Sequence, residues 1–342
     1  MANMSMTEQI ESALNKIGII LAANSSRVTD LVRLSGGASQ ETWAFRIHNV
    51  GGPAARFILR RAPGGQTVDR SQAAISLETE ARLIGLARDL GTPAPDVIHI
   101  CTPEDGLGDG FIMEFLEGET IARKILRDEA YANARAGLAQ ACAEALANIH
   151  RLPLSEAAAM DLPQSDGLAQ IAQYEEIYRA FGRPRSIIEL AFQYLKRTPP
   201  SPLPNVLVHG DFRLGNLMID QTGLAGVLDW ELAHIGDPRE DIGWICVNSW
   251  RFGQSAARVG GFGGLEAFLS AYAAAGGQSF TPREIDWWEM LGSLKWGIMC
   301  MMMYESFRTG ANPTVERAAI GRRVSETEID LLNLIEKAQA HA

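Results

Sequence analysis

The stretch Val206-Leu-Val-His-Gly-Asp-Phe-Arg-Leu-Gly-Asn216 constrains this chain more than any other part of it. Its short apolar run reads as a buried strand that delivers His209, Asp211 and Asn216 into one polar turn. A second apolar run follows and ends in Leu228-Asp229-Trp230-Glu231. Two strands that each finish in a carboxylate, with an amide side chain between them, supply the hard oxygen atoms that hold Mg²⁺ and a phosphate chain. That pairing points to phosphoryl transfer.

The surrounding pattern sets the architecture. Ile10, Leu14, Ile17 and Leu21 fall at helical spacing and predict an amphipathic helix over residues 7–23. The period then shortens. Strands are predicted at 31–34, 42–48, 57–60, 97–100 and 111–113, with a small-residue loop at Ser35-Gly-Gly-Ala-Ser-Gln-Glu41 and a Gly51-Gly-Pro53 turn. Between the third and fourth strands, Ile75, Leu83, Leu86 and Leu90 predict a helix over 71–90. From residue 121 to 149 the chain is Ala-rich and helix-forming. Thr198-Pro-Pro-Ser-Pro-Leu-Pro204 is a stiff lead-in to the strand at Val206, and the segment after Asp241 reads as helices, one Trp- and Met-rich over 287–307. The expected order is a β-rich first third, a hinge near residue 116 and a helical remainder holding one short β pair.

Composition narrows the function. The 342 residues suffice for two cores, and the net charge is 31 − 41 = −10 with no basic block at either end, which argues against nucleic acid or a membrane as partner. Cys101, Cys142, Cys246 and Cys300 stand far apart and form no metal or disulfide pattern, so reduced thiols in a cytoplasmic protein are expected. Early acidic residues at Glu8 and Glu11 do not fit a secretory signal, and no apolar run approaches the roughly 18 residues of a membrane span. No obligate protein partner is inferred.

With its His-x-Asp-x-x-x-x-Asn turn, the Leu-Asp-Trp-Glu segment and the β-rich half ahead of both, the chain resembles the aminoglycoside phosphotransferase-like family, the small-molecule branch of the protein-kinase fold. Segments such as Phe57-Ile-Leu-Arg-Arg61 and Phe111-Ile-Met-Glu-Phe-Leu-Glu-Gly118 are most similar to kinase-like domains attached to acyl-CoA dehydrogenases. The resemblance implies an α+β, bilobal protein-kinase-like fold. Its small β-rich N-lobe would span 1–115, its larger, mainly helical C-lobe 116–342, with the active cleft between them.

It also implies roles for single residues. Asp211 would orient the substrate hydroxyl and accept its proton, and Asn216 and Asp229 would hold Mg²⁺. A turn carboxylate capping its own backbone is the alternative for Asp211. His209 and Asp241 would brace the turn, and Glu231 would support the metal indirectly. Arg60 stands where the kinase fold has a phosphate-clamping lysine, with Glu80 as its ion-pair partner; Arg61 competes for the role, and strand alternation lets only one of them face the cleft. Two solvated arginines are the bland alternative. Ser39 would donate to the phosphates, Gln40 replaces an Asn common in the family, and Glu114 to Leu116 would read the adenine edge of ATP through the backbone.

The expected activity is ATP- and Mg²⁺-dependent phosphorylation of a hydroxyl on a small molecule. Trp287-Trp-Glu-Met-Leu-Gly-Ser-Leu-Lys-Trp-Gly-Ile-Met-Cys-Met-Met-Met-Tyr304 offers apolar surface in place of the clustered carboxylates that hold aminoglycosides. Such a stripe is commonly core; where it lines the cleft, an apolar or hydroxyacyl-type alcohol fits better. Lys295 and Glu305 stand out within it, facing either the pocket or solvent. The alternatives are an aminoglycoside or other antibiotic kinase, and a catalytically silent, pseudokinase-like nucleotide-binding module.

Overall fold

The computed structural model describes residues 5–21, 27–34, 40–48, 54–65 and 74–340. The loop carrying Ser39, the Gly51-Gly-Pro53 turn and residues 71–73 lie outside the described residues. Contacts divide the chain into two compact units. The first comprises Met1–Gly118 with Ala225–Ala233, and the second Glu119–Leu224 with His234–Ala342.

In the first unit, helix α1 (Met6–Leu21) turns Ile10, Leu14 and Ile17 onto one face. That face packs on a five-stranded antiparallel sheet of order β1-β2-β3-β5-β4, formed by β1 (Arg27–Arg33), β2 (Glu41–His48), β3 (Ala55–Arg61), β4 (Val97–Ile100) and β5 (Gly110–Glu114). The register pairs Glu41 with Arg61 and Thr42 with Arg60, so the two arginines leave β3 on opposite faces. Helix α2 (Leu77–Asp89) lies between β3 and β4 in sequence. It starts later than its apolar pattern predicts, because Ser76 is extended and its hydroxyl caps the helix by accepting from the Thr79 amide at 3.1 Å.

The second unit is mainly helical. The predicted helix over 121–149 is two, α3 (Ala122–Arg127) and α4 (Ala132–His150), because Asp128 is extended at ψ 138°. The Arg135 guanidinium secures the break by donating to the Ile125 and Asp128 carbonyls, each at 2.7 Å. Helices α5 (Leu154–Ala157), α6 (Gly167–Ala180) and α7 (Ser186–Arg197) lead to four short strands, β6 (Val206–Val208), β7 (Leu217–Ile219), β8 (Leu224–Val227), which counts with the first unit from Ala225 on, and β9 (His234–Gly236). These form two two-stranded sheets, β6 with β9 and β7 with β8, where one pair is predicted. Three-residue strands are too short to show an alternation.

Helices α8 (Arg239–Cys246), α9 (Leu265–Ala274), α10 (Pro282–Arg308), α11 (Val315–Gly321) and α12 (Val324–Ala340) complete the chain. The Trp- and Met-rich helix α10 begins five residues before the predicted 287, at Pro282, where Thr281 and Glu284 form a capping box. Trp287, Trp288, Met290, Leu291, Leu294 and Ile298 on it build a core with α6, α7 and α12. Most of the stripe is therefore core. No helix among the described residues is long and apolar enough to cross a membrane.

Candidate active site

The His209 to Asn216 turn follows β6 and is gripped from helix α8. The backbone amides of His209 and Gly210 donate to the two carboxylate oxygens of Asp241, at 2.8 and 2.9 Å. Gly210 takes φ 82°, a conformation a side chain would resist. Asp241 is fully buried and also bonded to His150 at 3.1 Å, whose other ring nitrogen meets the Tyr272 hydroxyl at 2.7 Å. Burial, with Asp241 and Asp237 nearby, pushes the Tyr272 phenol above its usual pKa. His209 is buried, edge-on to Phe212, and its Nδ1 accepts from the Asp211 amide at 3.2 Å. Both His209 and Asp241 thus lie beneath the turn as braces.

The Asp211 side chain, 15% exposed, is held by three donors. Its Oδ1 accepts from Arg213 Nε at 2.9 Å and Trp244 Nε1 at 2.7 Å, and its Oδ2 accepts from Asn216 Nδ2 at 2.6 Å. Asn216 Nδ2 also donates to the Asp211 carbonyl at 3.0 Å, so the amide oxygen of Asn216 is left over for another ligand. Arg213 and Trp244 are absent from the predicted set. Arg213 had a signal, lying inside the motif itself; Trp244 had only its spacing of three from Asp241, one helical turn along the same face.

In the first unit, Arg60 meets three carboxylates. It pairs with Glu80 at 3.1 Å, with Asp229, and with Glu231 at 3.7 Å. Burial works against its charge, but these acids outweigh burial and hold its pKa above the usual value. Arg61 points the other way, is bonded to Glu41 at 2.8 Å and to the Leu107 carbonyl at 3.1 Å, and is 5% exposed. Neither arginine is a solvated surface residue. Asp229 adopts the left-handed region at φ 64°, and its Oδ1 accepts from Arg60. Glu231 accepts at its carbonyl from the Ile75 amide, 3.0 Å away. Glu114 closes β5 with its amide bonded to the Asp96 carbonyl at 2.8 Å and the Phe115 amide bonded to Arg56 at 3.2 Å. Among the described residues the Leu116 amide makes no backbone hydrogen bond.

Two charges foreseen in α10 part company. Lys295 is nearly buried and donates to Glu240 at 3.1 Å and Gln170 at 2.7 Å, whereas Glu305 pairs outward with Arg308. Burial alone would raise the Glu240 carboxyl, yet Lys295 and His234 outweigh it and hold Glu240 well below the usual carboxylate range. Helices α8 and α10 cross closely at Gly243, where an added Cβ would sit 2.5 Å from Trp288 Cβ and 2.8 Å from the Glu289 amide. Gly243→Ala is therefore expected to overpack this crossing and cost about 1–3 kcal/mol, measured by urea unfolding; unchanged stability would show that the helices part freely.

Comparisons with known proteins bear on the family and the fold. Residues 30–288 match the model of a family described as "Phosphotransferase enzyme family". Acyl-CoA dehydrogenase family member 10 from Mus musculus is 28% identical over 236 residues, covering 67% of this chain and 21% of that protein. The chain spans between 21% and 37% of the length of the curated relatives it matches. Among solved structures, a candidate aminoglycoside phosphotransferase from Ralstonia eutropha superposes with a TM-score of 0.73 at 18% identity, covering 95% of this chain and 98% of that one. The GDP complex of aminoglycoside 2'-phosphotransferase-IIIa superposes with a TM-score of 0.59 at 18% identity, covering 97% and 99%. The fold is accordingly α+β and protein-kinase-like, a β-sheet N-terminal region followed by a mostly helical remainder. With the family model matching well over half its length, this chain belongs to the phosphotransferase enzyme family.

Proposed function

We propose that the chain transfers the γ-phosphoryl group of ATP, with Mg²⁺, to a hydroxyl of a small molecule. The observation that carries this is the Asp211 turn, a carboxylate fixed by three donors on a backbone gripped by Asp241. Fixed, preorganised groups are what phosphoryl transfer asks of a protein. In this reading Asp211 orients the acceptor hydroxyl and takes its proton as that oxygen bonds to the γ-phosphorus. The bond from phosphorus to the β,γ-bridging oxygen breaks, and ADP leaves.

The residues fit a hard cation. Asn216 has its amide oxygen left over, and Asp229 spends one carboxylate oxygen on Arg60 and keeps the other. Each is proposed separately as an oxygen ligand of Mg²⁺, which when bound would neutralise charge on the phosphates. Among the described residues no group of three or more His, Cys, Asp or Glu gathers as a metal set, so such an ion would complete its shell with phosphate and water oxygens, as Mg²⁺ commonly does. Arg60 engages the acids through Nε and Nη2, which leaves Nη1 for a phosphate. The Glu114 carbonyl and Leu116 amide suit an adenine edge, and Ser39 is proposed at the phosphates. The chain's thiols do not suggest a phosphoenzyme: burial pushes Cys101, Cys246 and Cys300 up to about 12. Free cysteines also suit the cytoplasm, and neither nucleic acid, a membrane nor an obligate protein partner is invoked.

The surroundings of Asp211 bear on the acceptor. Trp244, Val247 and Trp250 cluster with Trp296 and Met299, and Arg213 lies over Trp250 at 4.8 Å. The Arg213 cation beside Asp211 opposes a polycationic aminoglycoside, and an apolar or hydroxyacyl-type alcohol is proposed in its place. The test is calorimetry with Mg-ATP, with GTP as comparison, followed by ADP release on a panel of hydroxyacyl and apolar alcohols with aminoglycosides as contrast. Turnover on the first group supports the proposal. Tight nucleotide binding with no turnover on any alcohol would replace it with a silent nucleotide-binding module.

A further inference from the structure

Helix α8 holds the candidate catalytic turn twice, one helical turn apart. Asp241 grips the backbone at His209 and Gly210, and Trp244 reaches the side chain of Asp211. The Trp244 ring is itself seated on every side. It is 5% exposed, meets Trp250 with ring centroids 5.3 Å apart, and carries the Lys295 ammonium 5.5 Å over its face. Glu240 and Gln170 fix that ammonium. Helix α10 approaches at Gly292, where a Cβ would lie 3.2 Å from Trp244 Cε3 and 2.7 Å from Val247. An indole so confined directs its N–H along one line.

The count of lone pairs gives this direction a meaning. Each carboxylate oxygen has about two acceptor sites. On Asp211, Oδ1 receives both Arg213 Nε and Trp244 Nε1, whereas Oδ2 receives only Asn216 Nδ2. Among the described residues Oδ1 is full and Oδ2 has one site left.

We propose that Trp244 is a positioning residue that, together with Arg213, saturates Oδ1 of Asp211 and so reserves the remaining site on Oδ2 for the acceptor hydroxyl. This rests on the phosphotransferase reading above. Removing the indole N–H opens a second vacant site on the other oxygen and loosens the torsion of the carboxylate. The hydroxyl then meets two competing acceptors, only one of which is aligned for transfer. In the phosphotransferase reading Trp244 and Arg213 serve the acceptor side, and the nucleotide is held by Asn216, Asp229 and Arg60.

Two measurements test the proposal in the full chain. Of the indole N–H signals from the seven tryptophans, one should shift most on Asp211→Asn, and the same signal should vanish in Trp244→Phe. The Asp211→Asn arm needs no acceptor, and where Trp244→Phe fails to fold, the shifted signal is assigned to Trp244 by its through-bond connection to the backbone. An indole set indifferent to Asp211→Asn would overturn the proposal. In the second measurement, Trp244→Phe keeps an aromatic side chain but removes the pyrrole ring with its N–H, and it is expected to lower kcat for transfer by about 10- to 100-fold, with KM for ATP unchanged, the effect of one hydrogen bond to a charged group. Unchanged kcat would overturn it, and so would equal losses in kcat and ATP affinity, which mark a merely structural role. Absence of Mg-ATP binding by the wild-type chain sinks the phosphotransferase reading instead, and the indole signals still report whether Trp244 holds Asp211.

Discussion

Asp211→Ala is expected to lower phosphoryl transfer by about 10²- to 10⁴-fold, the range for removing a positioned general base, while Mg-ATP still binds. The size of the effect follows from how much of the turn converges on this one carboxylate. Arg213, Asn216 and Trp244 all donate to it, and Asp241 fixes the backbone beneath it. Truncation removes the acceptor for the hydroxyl proton and leaves those donors aimed at an empty position. Single-turnover transfer and calorimetry with Mg-ATP, run side by side, separate the two steps. Turnover within a factor of a few of wild type would mean that Asp211 is a structural cap and that the nucleophile is oriented elsewhere.

The second large effect is on stability. Lys295→Met should destabilise the second unit by about 3–5 kcal/mol, the usual consequence of breaking a buried ion pair from one side. Glu240 is 6% exposed and Lys295 12%, so the pair is little screened. The dependence on pH has a definite sign. Glu240 is depressed in the folded state, so its stabilisation is present above its unfolded value, near 4.3, and is lost as pH falls through the folded value. In the variant the carboxylate stays buried without Lys295, its pKa rises, and protonation relieves it at a higher pH. The gap between wild type and variant, measured by urea unfolding, should therefore be full at pH 7 and narrow as pH falls toward and below the unfolded value of about 4.3. A gap that is absent at pH 7, or that widens toward acid, would rule out the ion pair as its source.

How far sequence went depended on the range of the interaction. The Asp211 and Asn216 turn is a local object, set by an apolar run and a fixed spacing, and it was readable in one pass. The strands of the first unit were legible too, except that β1 starts at Arg27, four residues before the predicted 31, and ends at Arg33. Arg60 and Arg61 could not be separated until the register of β2 on β3 and the partners Glu80 and Glu41 were known. Trp244 stayed hidden because its partner is 33 residues away and on a different element. Helix starts were misplaced where hydrophobic periodicity was followed past a cap. Ser76 ahead of Glu78 and Glu80, and Thr281-Pro282 with Glu284, are visible start signals that periodicity alone ignores. The return of Ala225–Ala233 to the first unit is invisible to any reading in chain order.

The left-handed backbone at Asp229 has a consequence for how this protein can change over time. At φ 64° most side chains strain the chain, and Asn and Gly are among the few that enter that conformation as easily as Asp. Drift at position 229 is thus filtered by geometry before chemistry is consulted. Asn keeps the backbone and an oxygen for Arg60 while discarding the carboxylate, so, if Asp229 serves as proposed, a folded descendant without the reaction lies one substitution away. A β-branched residue at the same place would add about 1–3 kcal/mol of backbone strain to the loss of the carboxylate. Descendants that lose the reaction should therefore keep Asn or Gly here far more often than Val, Ile or Thr.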